Sequence, residues 1–309
     1  EISEKLTRQD VILDAKNAYF SILKSQKLMA VAEDTVKQVN AQKEVADNMY
    51  QVGMSPLNDL LQSQVQLAND KQRFITAQNN LEISKSQFNT LLRRPVNAPV
   101  AIVDILDYTP FEHDISYCLN QADQNRLELQ VADLEVQIAD KDYQLSKSDY
   151  FPSIDLTGNW TRRGTDWDVD GGEGIADKKF WDIRATATWQ FWQWGRTRYG
   201  VKEKLSRLSQ AKYRKEEISD NIELEVKQSF LRTKETEKNI TTIEKAIEQA
   251  KENLRIPEER YKEQVSTTTD VLVAQTLLTE TMTNYYNALY DFKIAKAVLY
   301  RAMGQEILE

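Results

Sequence analysis

DIRATATWQFWQWG, residues 182–195, alternates polar and apolar side chains and carries three tryptophans in its last seven positions. Asp182, Arg184, Thr186, Thr188 and Gln190 share one parity, while Ile183, Ala185, Ala187, Trp189 and Phe191 share the other. That is the pattern of a two-faced β-strand. The earlier run SIDLTGNWT, residues 153–161, alternates likewise, with Leu156, Gly158 and Trp160 against Asp155, Thr157 and Asn159. Together the two runs predict a β-hairpin closed by a long Gly- and Asp-rich loop, residues 162–179.

The hairpin is foreign to its surroundings. All six tryptophans and seven of the nine glycines lie in residues 158–200, whereas both flanks are rich in Gln, Glu, Lys, Ala, Leu and Asn. An isolated two-stranded hairpin is marginal in water. Lipid on the apolar face, a polar lumen on the other and aromatic residues at the interfaces would stabilise it, and the named aromatics are Trp160, Trp189, Phe191, Trp192 and Trp194. Only closed barrels leave no strand edge in a bilayer, so several such hairpins must combine. No run of 18 apolar residues occurs in the 309-residue chain, so no transmembrane helix is predicted.

The flanks are an internal duplication. Shifting the chain by 211 places Tyr50 on Tyr261, Ser55 on Ser266, Asp59 on Asp270, Gln64 on Gln275, Leu67 on Leu278, Phe74 on Tyr285 and Phe88 on Leu299. Apolar residues in each copy recur at alternating spacings of three and four: Ile240, Ile243, Ile247, Ala250, Leu254 and Tyr261 form one coiled-coil seam, and Leu67, Phe74, Ala77, Leu81, Phe88 and Leu91 another. Each copy therefore reads as a helical hairpin with a tip at YQVGMSPLND (residues 50–59) or YKEQVSTTTD (261–270), where Asn58 or Asp59 is placed to cap the next helix. Arms of about 50 residues would span roughly 75 Å. Pro257 inside the second arm predicts a bend. The fold class is mainly α with a transmembrane β-hairpin. The organisation is a first helical hairpin (1–94), a mixed segment (95–125), a helix (126–150), the membrane hairpin (151–195) and a second helical hairpin (196–309). By the same offset, a partner for the membrane hairpin is expected upstream of Glu1.

Composition narrows the function. The formal charge is −8, with pI about 5.1 and mean hydropathy −0.59, and there is no basic cluster to meet a nucleic acid. The single Cys118 and single His113 exclude an intrachain disulfide framework, a Cys/His zinc site and a His-based triad, and both read as ordinary residues of the connecting segment. No cofactor or metal site is expected, and no catalytic constellation stands out. The loop sequence DWDVDG, residues 166–171 with Asp177 at the twelfth position, opens like a calcium loop. Glu173 occupies a position that such a loop gives to an apolar residue, and a hairpin is the wrong context, so a solvated acidic loop is the reading.

These features resemble the TolC-like family of bacterial outer-membrane efflux channels. The resemblance is carried by YFPSIDLTGNW, TWQFWQWGRTR, the tip segments YQVGMSPLNDLLQSQ and YKEQVSTTTDVLVAQ, and the arm ending NYYNALYDFKIAKAVLYRAMG. It implies a homotrimer in which each chain gives four strands to a twelve-stranded barrel and long helices to a periplasmic α-barrel tunnel. It further implies export through docking onto a periplasmic adaptor protein and an inner-membrane pump of RND or ABC type, without catalysis. By motif position it assigns Asp270 to a ring of aspartates at the closed entrance and Asp59 to the closing network. Gly53, Ser55, Pro56, Val265, Ser266 and Thr267 fall in the adaptor-facing tips. The chain departs from the family pattern at three positions: Val273 replaces a second ring aspartate, Ser266 an arginine, and Gln264 the glycine kept as Gly53. The alternative is a non-conducting coiled-coil protein tethered to the outer membrane.

Overall fold

The computed structural model describes residues 2–104, 108–165, 167, 169, 171–174 and 179–306. They form six α-helices and one two-stranded sheet: α1 (Ile2–Gln51), α2 (Leu57–Leu91), α3 (Ile115–Asn125), α4 (Leu127–Ser146), β1 (Ser153–Arg162), β2 (Lys179–Thr188), α5 (Arg196–Lys262) and α6 (Thr268–Ala302). A 3-10 turn, Lys147–Tyr150, leads into β1. The chain divides into two compact units, one of Glu1–Leu127 with Asp220–Glu309 and one of Glu128–Ser219.

In the first unit α1 packs on both α2 and α6. Val39, Leu67 and Leu272 bring the three helices together at one level, and Leu254, Tyr261, Val271 and Ala274 join α5 to α6. Phe20, Leu23 and Tyr290, then Ile240, Leu289 and Phe292, form further layers. The predicted seam residues are all buried or half-buried. Polar pairs sit within the α1–α6 seam: Thr35 and Thr279 hydroxyls are 3.0 Å apart, and Gln275 Nε2 donates to Gln38 Oε1 at 2.6 Å. Such partly buried pairs favour one register, because slipping by a turn would set polar atoms against apolar side chains.

The duplication holds at the level of individual bonds. Adding 211 to the bounds of α2 gives the bounds of α6, and adding it to the last residue of α1 gives the last residue of α5. All four helices end in the same motif, with the residue after the cap at positive φ: Gly53 (75°), Arg93 (53°), Gln264 (62°) and Gly304 (72°). In each, two backbone N–H groups reach back to the last turn, as in Met54 to Met49 and Val265 to Arg260, both 2.8 Å, and Arg94 to Asn89 and Gln305 to Tyr300, both 2.9 Å. These bonds satisfy carbonyls that a helix end otherwise leaves orphaned.

Capping at the α2 start differs from the expectation. Pro56 is the N-cap and makes no side-chain cap bond, while Asn58 and Asp59 lie within the first turn. Pro56 has extended backbone (φ −69°, ψ 154°) and a side chain with no polar atom, so the helix begins after it without a side-chain cap. α5 runs through Pro257 as one helix.

The connecting segment is fastened by side chains reaching carbonyls. Asn89, fully buried, donates to Val96 O (3.0 Å) and Ala98 O (2.8 Å). Tyr19 donates to Val103 O, and Lys234 to Phe111 O. Cys118 is buried, which raises its thiol pKa, and His113 stacks on Tyr117 with ring centroids 4.1 Å apart.

In the second unit α4 runs antiparallel to the start of α5, with Asp133 paired to Lys215 (2.6 Å) and Asp142 to Lys204 (3.2 Å). β1 and β2 pair antiparallel from Ser153 opposite Thr188 to Arg162 opposite Lys179. The second strand therefore ends earlier than its alternation predicts. Beyond Thr188 the residue that would pair with Trp189 is Pro152, which lacks an N–H and follows the 3-10 turn, so no ladder can continue. Trp189, Phe191, Trp192 and Trp194 lie instead in the connection to α5, and Trp194 and Gly195 both turn at positive φ. The acidic residues Asp166, Asp168, Asp170 and Asp177 of the calcium-loop pattern lie outside the described residues.

Candidate functional site

The two tips are the same turn with different chemistry. Ser266 Oγ (2.9 Å), Thr267 N (2.9 Å) and Thr267 Oγ1 (2.8 Å) all donate to Oδ2 of Asp270. Asp270 N in turn donates to Thr267 Oγ1 at 3.2 Å, completing a capping box. These donors, Thr267 foremost, hold the Asp270 carboxyl below the usual carboxylate range, so it stays charged although fully exposed. In the first copy Ser55 Oγ donates to Asp59 Oδ2 at 3.0 Å, matching the Ser266 bond. Pro56 occupies the place of Thr267 and has neither a hydroxyl nor an N–H, so Asp59 lacks the other two donors. One substitution between the copies thus leaves one carboxylate clamped and the other held by a single hydroxyl.

The structure brings the tips side by side. Gln264 Nε2 reaches Met54 Sδ at 3.2 Å, and Thr269 Oγ1 donates to Gln62 Oε1 at 2.7 Å. Gly53, Pro56, Val265 and Thr267 are exposed and Ser55 and Ser266 half-buried. Just beyond the tips a groove of about 720 Å³ runs between α2 and α6, lined by Leu61, Val65, Leu272, Val273 and Leu277. In the sequence this groove is marked by Leu61/Val65 and Val273/Leu277, each pair at a spacing of four.

The other candidate surface is the hairpin. Residues directly opposite one another share a face, so the register places Ile154, Leu156, Gly158 and Trp160 together with Ala187, Ala185, Ile183 and Trp181. The other face carries Asp155, Thr157, Asn159, Asp182, Arg184 and Thr186. Both faces are exposed almost throughout, with Ile154 and Leu156 each at 75% and Trp160 and Trp181 each at 70%. Trp160 faces Trp181 near the loop end. At the other end Trp189 Nε1 donates to Tyr150 O at 3.3 Å, and Trp192 meets Trp194 edge-on at 5.6 Å. Aromatic residues thus bound both ends of a one-sided apolar face, as at a membrane.

Arg126 was not singled out by the sequence. Its side chain is buried between helices, donating to Glu225 Oε2 at 2.8 Å and to Ala302 O at 3.3 Å. Only the fold brings these three positions together.

Among the described residues no group of His, Cys, Asp and Glu is arranged to hold a metal, and no helix is long and apolar enough to cross a membrane. A model of the protein family described as "Outer membrane efflux protein" matches residues 4–92 and 118–305. The chain belongs to this family. It is thereby an outer-membrane protein of the Gram-negative type, from a family of efflux channels. It is 20% identical to Outer membrane protein TolC of Escherichia coli (strain K12) over 98% of its own length and spans 63% of the length of TolC. Among solved structures it is similar to CusC (TM-score 0.85, 17% identity, 99% of this chain and 71% of that one) and to the Campylobacter jejuni CmeC outer membrane channel (0.83, 16%, 98% and 64%). It is also similar to the open state of the Neisseria gonorrhoeae MtrE channel (0.81, 19%, 98% and 68%). These likenesses show the fold: a helical tunnel joined to strands of a membrane β-barrel.

Proposed function

We propose that the protein is one subunit of a homotrimeric export duct, a passive tunnel by which an inner-membrane pump of RND or ABC type and a periplasmic adaptor discharge cargo through the outer membrane. The observation that carries this reading is the hairpin: among the described residues its apolar face is exposed in a sheet of only two strands, and two strands cannot close a barrel alone. Three chains give the closure that lipid demands.

The tips form the entrance. Three copies of Asp270, each kept ionised by its own turn, present a ring of negative charge that attracts cations and repels its own members. Asp59, held by one hydroxyl, is the looser carboxylate of the closing network. Gly53, Ser55, Pro56, Val265, Ser266 and Thr267 are the surface we assign to the adaptor, and the adjoining apolar groove extends it. Trp160, Trp189, Phe191, Trp192 and Trp194 sit at the membrane interfaces. The protein performs no catalysis in this scheme.

Planar-bilayer recording on the full-length protein tests it. A trimer by native mass that conducts, with altered opening or cation selectivity in Asp270→Asn, is the expected result. A trimer that carries no current under any condition would favour the tether. A conducting trimer indifferent to Asp270→Asn would remove Asp270 from the entrance and leave the duct standing.

A further inference from the structure

The connection between β2 and α5 is a braced turn. The ladder ends at Ser153 opposite Thr188, and Trp194 and Gly195 then turn at φ 51° and 84°. Left-handed backbone at a tryptophan is uncommon and persists only where its surroundings hold it. Here Gln193 Nε2 donates to Gln190 Oε1 (2.8 Å), Thr197 Oγ1 donates to Gln193 Oε1 (3.2 Å), and Trp189 Nε1 reaches back to Tyr150 O (3.3 Å). The cup so formed has a volume of about 550 Å³ and is lined by Trp189, Phe191, Trp192 and Trp194 together with Asp149 and Arg198. Its rings make two corners, Trp189 meeting Phe191 at 56° and Trp192 meeting Trp194 at 75°. All four rings stay between 59% and 88% exposed. So large an apolar patch marks a binding surface.

We propose that this cup binds the headgroup of a phospholipid that carries both a phosphate and an ammonium, an ethanolamine phospholipid of the periplasmic leaflet. The inference rests on the hairpin crossing the outer membrane. α4 leads into β1 and β2 leads into α5, so both helices attach at this end of the hairpin, which is therefore the periplasmic one. Trp181 and Trp189 are eight residues apart in the chain. Eight extended residues span about 26 Å, and the apolar band of a membrane barrel is about 25 Å tall. With Trp181 at one interface, the cup lies at the headgroup level of the other.

Contact with acyl chains would account for the rings but not for charges of opposite sign among them. Asp149 and Arg198 are both exposed, and neither makes an ion pair among the described residues. The guanidinium fork of Arg198 matches phosphate oxygens. Tryptophan faces attract an ammonium, and the Asp149 carboxylate adds a counter-charge for it. A lipid with a phosphate and no ammonium would satisfy Arg198 while setting a second anion beside Asp149. The lining therefore favours a zwitterionic headgroup over an anionic one.

The test titrates the full-length protein in mild detergent with phosphatidylethanolamine and with phosphatidylglycerol of the same acyl chains, and native mass spectrometry counts the lipid retained. The parent should prefer phosphatidylethanolamine. Arg198→Gln should weaken both lipids about fivefold, and Arg198→Lys should keep most of the affinity. Asp149→Asn should weaken phosphatidylethanolamine alone, by about threefold, and so erase the preference. Soluble glycerophosphoethanolamine, which has no acyl chains, should not compete. Heat-resistant trimer in each variant shows that it is folded. Equal retention of the two lipids by the parent would overturn the zwitterionic site, as would an equal loss of both in Asp149→Asn or no loss in Arg198→Gln. Competition by the soluble headgroup would overturn a lipid as the occupant. Retention of neither lipid would mean that neighbouring protomers cover the rings, and would overturn the site as well. Quenching of tryptophan fluorescence by brominated acyl chains in reconstituted membranes separates the two levels. Quenching without headgroup preference removes only the lipid site, and no quenching removes the membrane hairpin too.

Discussion

A Cβ on Gly304 would lie 2.7 Å from the carbonyl carbon of Asn125 and 3.0 Å from the amide nitrogen of Arg126. The residue that ends α6 is thus pressed against the junction of α3 and α4 and also sits at φ +72°. Gly53 has the same backbone conformation with open space around it. Gly53→Ala should therefore cost only the left-handed term, about 1–2 kcal/mol, while Gly304→Ala adds a clash with backbone that cannot rotate away. At Gln264, already left-handed without being glycine, Gln264→Gly should stabilise by about 1 kcal/mol. Denaturant unfolding of the three variants checks the order, and a Gly304→Ala no worse than Gly53→Ala would disprove the close approach.

Arg126 ties α6 to α5 across the end of α3. Arg126→Met should destabilise by about 1–3 kcal/mol, because the Ala302 carbonyl and Glu225 lose a buried donor. Arg126→Lys should recover only part of this, since one ammonium cannot reproduce the planar fork. Hydrogen exchange in the last turn of α6 is the local readout. Protection unchanged in Arg126→Met would mean that the carbonyl has another donor.

The Asp270 clamp predicts a pH dependence. The folded carboxyl holds its proton less tightly than the unfolded one, so its contribution is complete above the unfolded carboxylate range. It is lost as pH falls through the depressed folded range. Melting curves of the parent and Asp270→Asn should therefore differ at neutral pH and converge in acid. A difference that persisted unchanged in acid would show that the amide fails for a reason other than charge.

Leu156 and Thr157 are neighbours on opposite faces of β1. If the face of Leu156 meets lipid, Leu156→Arg should cost about 2–4 kcal/mol and sharply reduce folded, membrane-inserted protein, while Thr157→Arg should be tolerated. Heat-resistant trimer in outer-membrane fractions measures both. Equal tolerance of the two would argue against lipid on that face.

Much of this molecule was legible because its signals are local and doubled. The alternation in residues 153–161 announces β1, the seam of threes and fours announces the long helices, and the copies at Ser55/Asp59 and Ser266/Asp270 share the serine-to-carboxylate bond. Where reading from sequence overreached, the competing effect lay on another strand or in a neighbouring backbone. Trp189 and Phe191 continue the alternation of β2, yet the strand stops at Thr188 because its partner has run into Pro152. Asp59 looks like a cap, yet the helix already begins at Leu57, with Pro56 as its N-cap.

The sequence by itself determined the element types, the duplication, the one-sided hairpin and the family resemblance, because helix and strand periods and turn residues act over a few positions. The tertiary structure alone decided that Arg126 meets Glu225 and Ala302, that Gly304 touches Asn125, and that Arg162 stands opposite Lys179. Those pairings join residues 17 to 179 positions apart, and only the packing and register of whole elements place their atoms within bonding reach.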